Sequence, residues 1–516
     1  MRERPSVPKL MVIGVDSLDP RLLRKFAPHL PNFTRLREES PEIDLRCIFP
    51  PDSIPAWVSI HTGSNPAKHG LIHVFDVFET QWQDIMSIDP AGFQGRTFWD
   101  YAGSAGKKVL VLFPFVAFPP WDVNGLMVGR AMDDRPLAGG KPWQTERELQ
   151  TWPREAQDHY GMPRFLREVS GKHPGQDNLE ARTREAHQVI LEKAKLGLEL
   201  SSKSDWDLFF IFFGSLDVVQ HSLWRYMDED DPTYPGPNPL QDLIRETYQV
   251  LDDVVGRLMG QHPDATVIVL SDHGHGMRPT KTVNINELLR QMGLLQAKGR
   301  RWNPVPRLLE GFKRLVLDFV HDREWDYWLL ALGKAPLVSS ASKGIYMSTS
   351  SIDMERTTAY LSSFAGAKSY PHGGIEIKRD RMDSAGYEEL RETLIQELSQ
   401  IRDPESDTPL MNWICRREDL YSGPHISQLP DVVFELQDGY GVYWGIHTPL
   451  VGTAYEHNLA SGGHKKEAVF LVKGADKRPS HGEMELMDVA PTILDLLGLD
   501  DDFGFDGQSI FAEGRS

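Results

Sequence analysis

The chain has 516 residues, of which 25% are charged, and a formal net charge of -18. That length exceeds a usual single domain, and so acidic a balance argues against nucleic acid or an anionic membrane as a general partner. The two cysteines, Cys47 and Cys415, form no CxxC pair. This excludes a thiolate zinc site, leaves a disulfide between them open, and suits a reducing cytosol.

Short apolar runs punctuate the chain in order. LMVIGV (10–15) follows a basic start, is interrupted by Gly14 and ends at Asp16 without a cleavage-like sequence, so it reads as a first strand and not a signal peptide. KKVLVLF (107–113), DLFFIFFG (207–214), ATVIVLS (265–271) and EAVFLVKG (467–474) continue the series. Runs so rich in Val, Ile and Phe predict strands buried on both faces of a mainly parallel sheet. Helical patterns lie between them, over about 178–200, 239–259 and 387–400. The alternation predicts an α/β fold: a large, mainly parallel sheet flanked by helices. Residues 297–340 begin basic and turn aromatic, which predicts a helical cap insertion between two parts of the core, 8–296 and 341–512. No run is long and apolar enough for a transmembrane helix.

In an open parallel sheet, ligands bind beyond the carboxyl ends of the strands, and the reactive residues cluster there. Asp16 follows the first strand, and Asp217 and His221 follow DLFFIFFG. If the turn after Gly214 opens a helix, their i, i+4 spacing puts both on one face, able to share a metal. Asp272 and His273 follow VIVLS, where Gly274 and Gly276 let the backbone bend and aim both at one point. His464 precedes the last strand. Ser53, in FPPDSIPAW, sits at a turn into a helix predicted to begin near Pro55, where free N–H groups suit a phosphate. Singly, these residues read as caps, turns or core histidines. Together, three Asp, three His and one Ser supply the donors for two metals and a nucleophile, and mixed His and Asp donors suit zinc, manganese or iron better than magnesium.

The motifs VIGVDSLD, SIPAWVSIHTGSNPAKHG, LDVVQHSLWRYMD, VIVLSDHGHG, SGGHKKEAVFLVKG and MDVAPTILDLLGLD span nearly the whole chain. In their order and spacing the sequence resembles the alkaline phosphatase superfamily, in its type I phosphodiesterase/nucleotide pyrophosphatase-like branch. The resemblance implies that Asp16, Ser53, Asp272 and His273 hold one divalent metal and that Asp217, His221 and His464 hold a second, Zn or Mn. It implies that Ser53 attacks a small phosphorylated substrate, a phosphate mono- or diester, and forms a phosphoserine. A cytoplasmic hydrolase with no nucleic-acid partner is the expectation. Two alternatives stand beside it: a phosphomutase or phosphotransferase on the same site, and a non-catalytic binding protein.

The sequence also departs from the branch. Ser53 stands where nucleotide pyrophosphatases commonly use Thr, and their Asn after the HG is missing from HGLIHVFD, where His73 or Val74 falls. Trp57 occupies the place of the sulfatase Arg, which sets sulfate esters below phosphate esters. His61, His69 and His275 read as turn residues or supports of the ligands. Arg130, Arg278, Lys281, Trp224 and Tyr226 are candidates for substrate contact that also read as surface charges or core aromatics.

Overall fold

A computed structural model describes residues 9–72, 92–136, 144–169, 178–298, 305–321, 323, 325, 352–362, 370–499 and 503–512, with side chains left out at 131–136, 305–307 and 309. The described residues form two compact units. One lies within Met1–Leu71, Asp84–Gly276 and Gly462–Ser516, the other within Ile72–Gln83 and Met277–Ser461.

The first unit is built on an eight-stranded sheet in the order Phe470–Lys473, Thr266–Leu270, Leu10–Val15, Leu208–Phe213, Val109–Leu112, Gly125–Pro136, Gln144–Trp152 and Phe165–Val169. The five strands from Thr266–Leu270 to Gly125–Pro136 run parallel. The outer strands run antiparallel to their neighbours. Every residue of Leu10–Val15 and Leu208–Phe213 is buried, as a two-faced central strand requires.

Alternation along these strands supplies both faces. Val12 and Phe210 belong to a core that includes Trp57. A side chain at Gly197, in the helix Leu179–Lys203, would strike Ile211 at 2.6 Å. Helices therefore cover both sides, and each fully buried aliphatic or Phe side chain contributes about 1.5–3 kcal/mol. Gly14 is where the Ser53 helix seats: a Cβ there would lie 2.7 Å from the Trp57 ring, so any larger residue would push that helix off the strand.

The parallel register aligns the chemistry. Val15 pairs with Phe213 and Gly14 with Leu270, so three strands end at one level. Asp16, the helix Ser215–Met227 and the Ser271–His273 turn start from that rim.

The second unit has its own core around a four-stranded antiparallel sheet in the order Ala359–Ser362, His372–Ile377, Val432–Leu436 and Met411–Arg416. A second sheet pairs Lys281–Asn284 with Tyr440–Tyr443 and Val451–Thr453. The helix Ser384–Ser399 corresponds to the pattern expected at 387–400. Within 297–340, the helix Val305–His321 is described, and residues 326–340 lie outside the described residues. Cys47 and Cys415 are both free thiols. Among the described residues no helix is long and apolar enough to cross a membrane.

Candidate metal centre

Ser53 opens the helix Ser53–Thr62, two residues earlier than expected, and the cap is Asp52, whose carboxylate accepts from the Ile54 N–H at 3.1 Å. This leaves the serine hydroxyl free to face the sheet rim. Ser53 Oγ lies 3.0 Å from His273 Nε2 and 3.4 Å from Asp16 Oδ1. Asp16 is oriented from its other side by Trp57, whose Nε1–H donates to Oδ2 at 3.3 Å.

His273 Nε2 also lies 3.2 Å from Asp272 Oδ2 and 3.8 Å from Asp16 Oδ1. The helix after Gly214 forms, and it brings His221 Nε2 to 3.2 Å from Asp217 Oδ1. His464, on the short strand Gly462–Lys465, puts Nε2 3.4 Å from the same oxygen and 3.0 Å from His221 Nε2. All seven side chains thus converge within the first unit. Asp16, Asp272 and His273 are buried, whereas Ser53, Asp217, His221 and His464 keep partial contact with solvent.

The imidazole tautomers decide what this cluster can bind. His221 Nδ1 meets the Gly462 carbonyl at 2.8 Å, His464 Nδ1 the Pro51 carbonyl at 2.7 Å, and His273 Nδ1 the Gly274 carbonyl at 3.0 Å. A carbonyl only accepts, so each Nδ1 carries the proton and each Nε2 presents a lone pair. Those lone pairs point at one another and at carboxylates, and among the described residues no hydrogen-bond donor meets Asp217 Oδ1 or Asp272 Oδ2. The potential ligand atoms form overlapping sets within 4.8 Å: Asp16, Asp272 and His273; Asp217, His273 and His464; Asp217, His221 and His275.

Charge tells the same story. Burial, with Asp272 and Asp217 adding to it, holds the Asp16 carboxyl well above the usual range. Burial pushes Asp272 up to about 7 and the His273 imidazole down to about 3. Asp217 runs the other way: burial alone would raise it, but His221, then His464 and His275, hold it well below the ordinary value. Three carboxylates this close repel unless positive charge lies among them. The donor set fits divalent cations.

A family model described as type I phosphodiesterase / nucleotide pyrophosphatase matches residues 10–464. The chain belongs to this family. It is therefore a metal-dependent phosphoester hydrolase in the general sense. Its fold is similar to phosphonoacetate hydrolase from Sinorhizobium meliloti 1021. The complex of that enzyme with phosphonoformate aligns with a TM-score of 0.52 at 14% identity, covering 96% of this chain and 97% of that one. Its complex with phosphonoacetate aligns with a TM-score of 0.51, also at 14% identity. No curated protein matches the chain at the level of sequence.

Other residues singled out in this family member fall in different places. His275 is buried in the centre, with Nδ1 2.6 Å from Ser17 Oγ and 3.7 Å from Asp217 Oδ1. The strand Gly274–Met277 carries it there, in the supporting place that the sequence suggested. Ser17 holds φ at 65°, a left-handed conformation costing a non-glycine residue about 1–2 kcal/mol, and its N–H donates to Asp272 Oδ1 at 3.1 Å. His61 is buried among Trp57, Phe98, Trp99 and Phe210. His69 accepts from the Leu71 N–H and bonds Ser59 Oγ, holding the turn after the Ser53 helix. Trp224 Nε1 donates to Asp228, its ring centroid is 5.7 Å from that of His275, and Tyr226 is core. Arg130 stacks on Phe118. Arg278 and Lys281 belong to the second unit, over Tyr370 and paired with Asp403 respectively. His73 and Val74 lie outside the described residues.

Proposed function

We propose that this chain hydrolyses a small phosphate mono- or diester through a phosphoserine on Ser53. Asp16, Ser53, Asp272 and His273 hold one divalent cation, Zn or Mn, and Asp217, His221 and His464 hold the other. The support is the convergence of three Nε2 lone pairs on carboxylate oxygens at 3.2–3.8 Å, with the Ser53 hydroxyl 3.0 Å from His273 Nε2.

Divalent cations in these sets would supply the positive charge that an alkoxide and a leaving oxygen need. The protein's own part is placement. Trp57 fixes Asp16, the carbonyls of Pro51, Gly462 and Gly274 fix the three rings, and the helix start presents Ser53 Oγ toward the phosphorus. Serine oxygen bonds to phosphorus as the ester oxygen departs with its electron pair. Water then cleaves the phosphoserine, releasing phosphate or a monoester and restoring the hydroxyl. Positioning and charge neutralisation account for most of the rate in such chemistry.

The test is a panel of p-nitrophenyl phosphate, bis-p-nitrophenyl phosphate, p-nitrophenyl sulfate and phosphonoacetate, each with Mn, Zn and Mg. The last substrate enters because the fold resembles an enzyme of that name. Turnover of a phosphate ester above the sulfate and the phosphonate is expected. Activity confined to the sulfate or to phosphonoacetate would replace this reading.

A further inference from the structure

Behind the metal centre, five residues close a hydrogen-bonded ring. The Asp19 N–H donates to the Tyr248 hydroxyl oxygen at 3.0 Å, and Tyr248 O–H donates to Gln220 Oε1 at 3.1 Å. Gln220 Nε2 donates to the Ser17 carbonyl at 2.8 Å, and Ser17 Oγ meets His275 Nδ1 at 2.6 Å. The His275 N–H donates to Asp19 Oδ2 at 3.1 Å and completes the circuit. Ser17, Asp19, Gln220, Tyr248 and His275 are each 0% exposed. Backbone N–H groups only donate and carbonyls only accept, so Tyr248 must do both and the Gln220 amide has one orientation. No member can turn without leaving a buried partner unsatisfied.

Three members of the ring, Ser17, Gln220 and His275, reach residues of the centre. Ser17 follows Asp16, and its N–H holds Asp272. Gln220 precedes His221, and His275 lies two residues after His273 and 3.7 Å from Asp217 Oδ1. The ring therefore ties together the segments that carry both donor sets. Gly462 closes against it: a Cβ there would lie 2.5 Å from His275 Nε2 and 2.4 Å from the Gln220 carbonyl oxygen.

We propose that this ring sets the spacing between the Asp16–Asp272–His273 set and the Asp217–His221–His464 set, with Tyr248, Gln220 and His275 as positioning residues. The proposal rests on the reading of those side chains as ligands. Tyr248 bonds to none of them, so its influence would pass only through Gln220 and Asp19.

The experiment titrates the metal-stripped full chain with Zn against a competing chelator and reads two stepwise dissociation constants. Tyr248→Phe is expected to weaken both steps by about 10-fold or more, the usual scale for losing an outer support of metal ligands. Gln220→Glu, which keeps the acceptor and loses the donor to Ser17, should do the same. The double variant should be little weaker than the worse single one, because either change opens the same ring. Thr247→Val, which breaks the neighbouring bond to His187 on the same helix, should lower the melting temperature and leave both constants in place. Unchanged constants in Tyr248→Phe or Gln220→Glu, or an effect confined to one step, would overturn the ring's role. So would an equal effect in Thr247→Val. If Tyr248→Phe does not fold, Gln220→Glu decides. A wild-type chain that binds no Zn, or an Asp217→Asn variant that keeps both equivalents, would instead defeat the ligand assignment, and the ring proposal with it.

Discussion

His221 Nε2 and His464 Nε2 stand 3.0 Å apart while the opposite nitrogen of each ring donates to a backbone carbonyl. Two lone pairs at that separation repel. Only a proton or a cation between them turns the contact into an attraction, and Asp217 Oδ1, within 3.4 Å of both, favours the cation.

Removing one member of this set should therefore remove one ion. Asp217→Asn and His464→Ala are expected to retain about half of the wild-type metal on elemental analysis and to slow phosphate-ester turnover. Full metal content in both variants would contradict the assignment.

Ser53→Ala tests a different function. The hydroxyl is one donor among several to its set, so metal content should stay close to wild type. Turnover should fall by about 10⁴-fold or more, as when other serine nucleophiles are removed. Quenched-flow trapping should find no phosphorylated enzyme. Wild-type rates in this variant would eliminate Ser53 as nucleophile.

Much of this centre could be read from the chain because each residue sits next to a feature with a local signature. Asp16 and Asp272 end apolar runs, and Asp217 and His221 have helical spacing behind a glycine. The parallel register that levels those strand ends follows from their two-faced apolar composition. His275 reads as a turn residue or a support of the ligands because SDHGHG is glycine-rich, and the backbone, extended from Gly274 to Met277, carries it to 3.7 Å from Asp217 Oδ1. Tyr248 reads as a core aromatic on the helix Leu243–Gln261, and its hydroxyl chemistry exists only once Asp19 and Gln220 arrive from elsewhere. The antiparallel strands Gln144–Trp152 and Phe165–Val169 carry charges along their length and show no apolar run. The second unit's sheet joins strands as far apart as Ala359–Ser362 and Val432–Leu436, a pairing that no local pattern reports.

Chelation provides a test independent of mutation. Exhaustive EDTA treatment should abolish turnover, and Zn or Mn should restore it where Mg restores less, because imidazole nitrogen favours the softer ions. Full activity in a demonstrably metal-free chain would end the proposed mechanism.

Gly462→Ala probes the packing that holds His464. The added methyl would press on the Gln220 carbonyl oxygen at 2.4 Å, a backbone atom that cannot swing aside, and on His275 Nε2 at 2.5 Å. The strand must retreat, carrying the Gly462 carbonyl away from His221 and Nε2 of His464 away from Asp217. Expected is at least a 10-fold loss of affinity for the ion held by Asp217, read by the same chelator competition. Unaltered affinity would show that the His464 strand has more freedom than this contact allows.

In the last turn of the Ser53 helix, buried His61 gives a pH signature separable from the metal. Burial drives its imidazole down to about 3, against an ordinary value near 6.5. The folded state then stays neutral where the unfolded chain takes up a proton, so stability is retained above pH ~6.5 and lost as pH falls toward ~3. One such group contributes a slope of about 1.4 kcal/mol per pH unit across that window. His187, pushed down to about 4 by burial and then by Arg184, adds a slope of the same sign. His61→Phe, which keeps a ring in contact with Trp99 and Phe210, should flatten the denaturant-measured stability of the metal-free protein between pH 6.5 and 4 by about that slope. A wild-type acid slope in the variant would mean that His61 is already protonated within its aromatic cage.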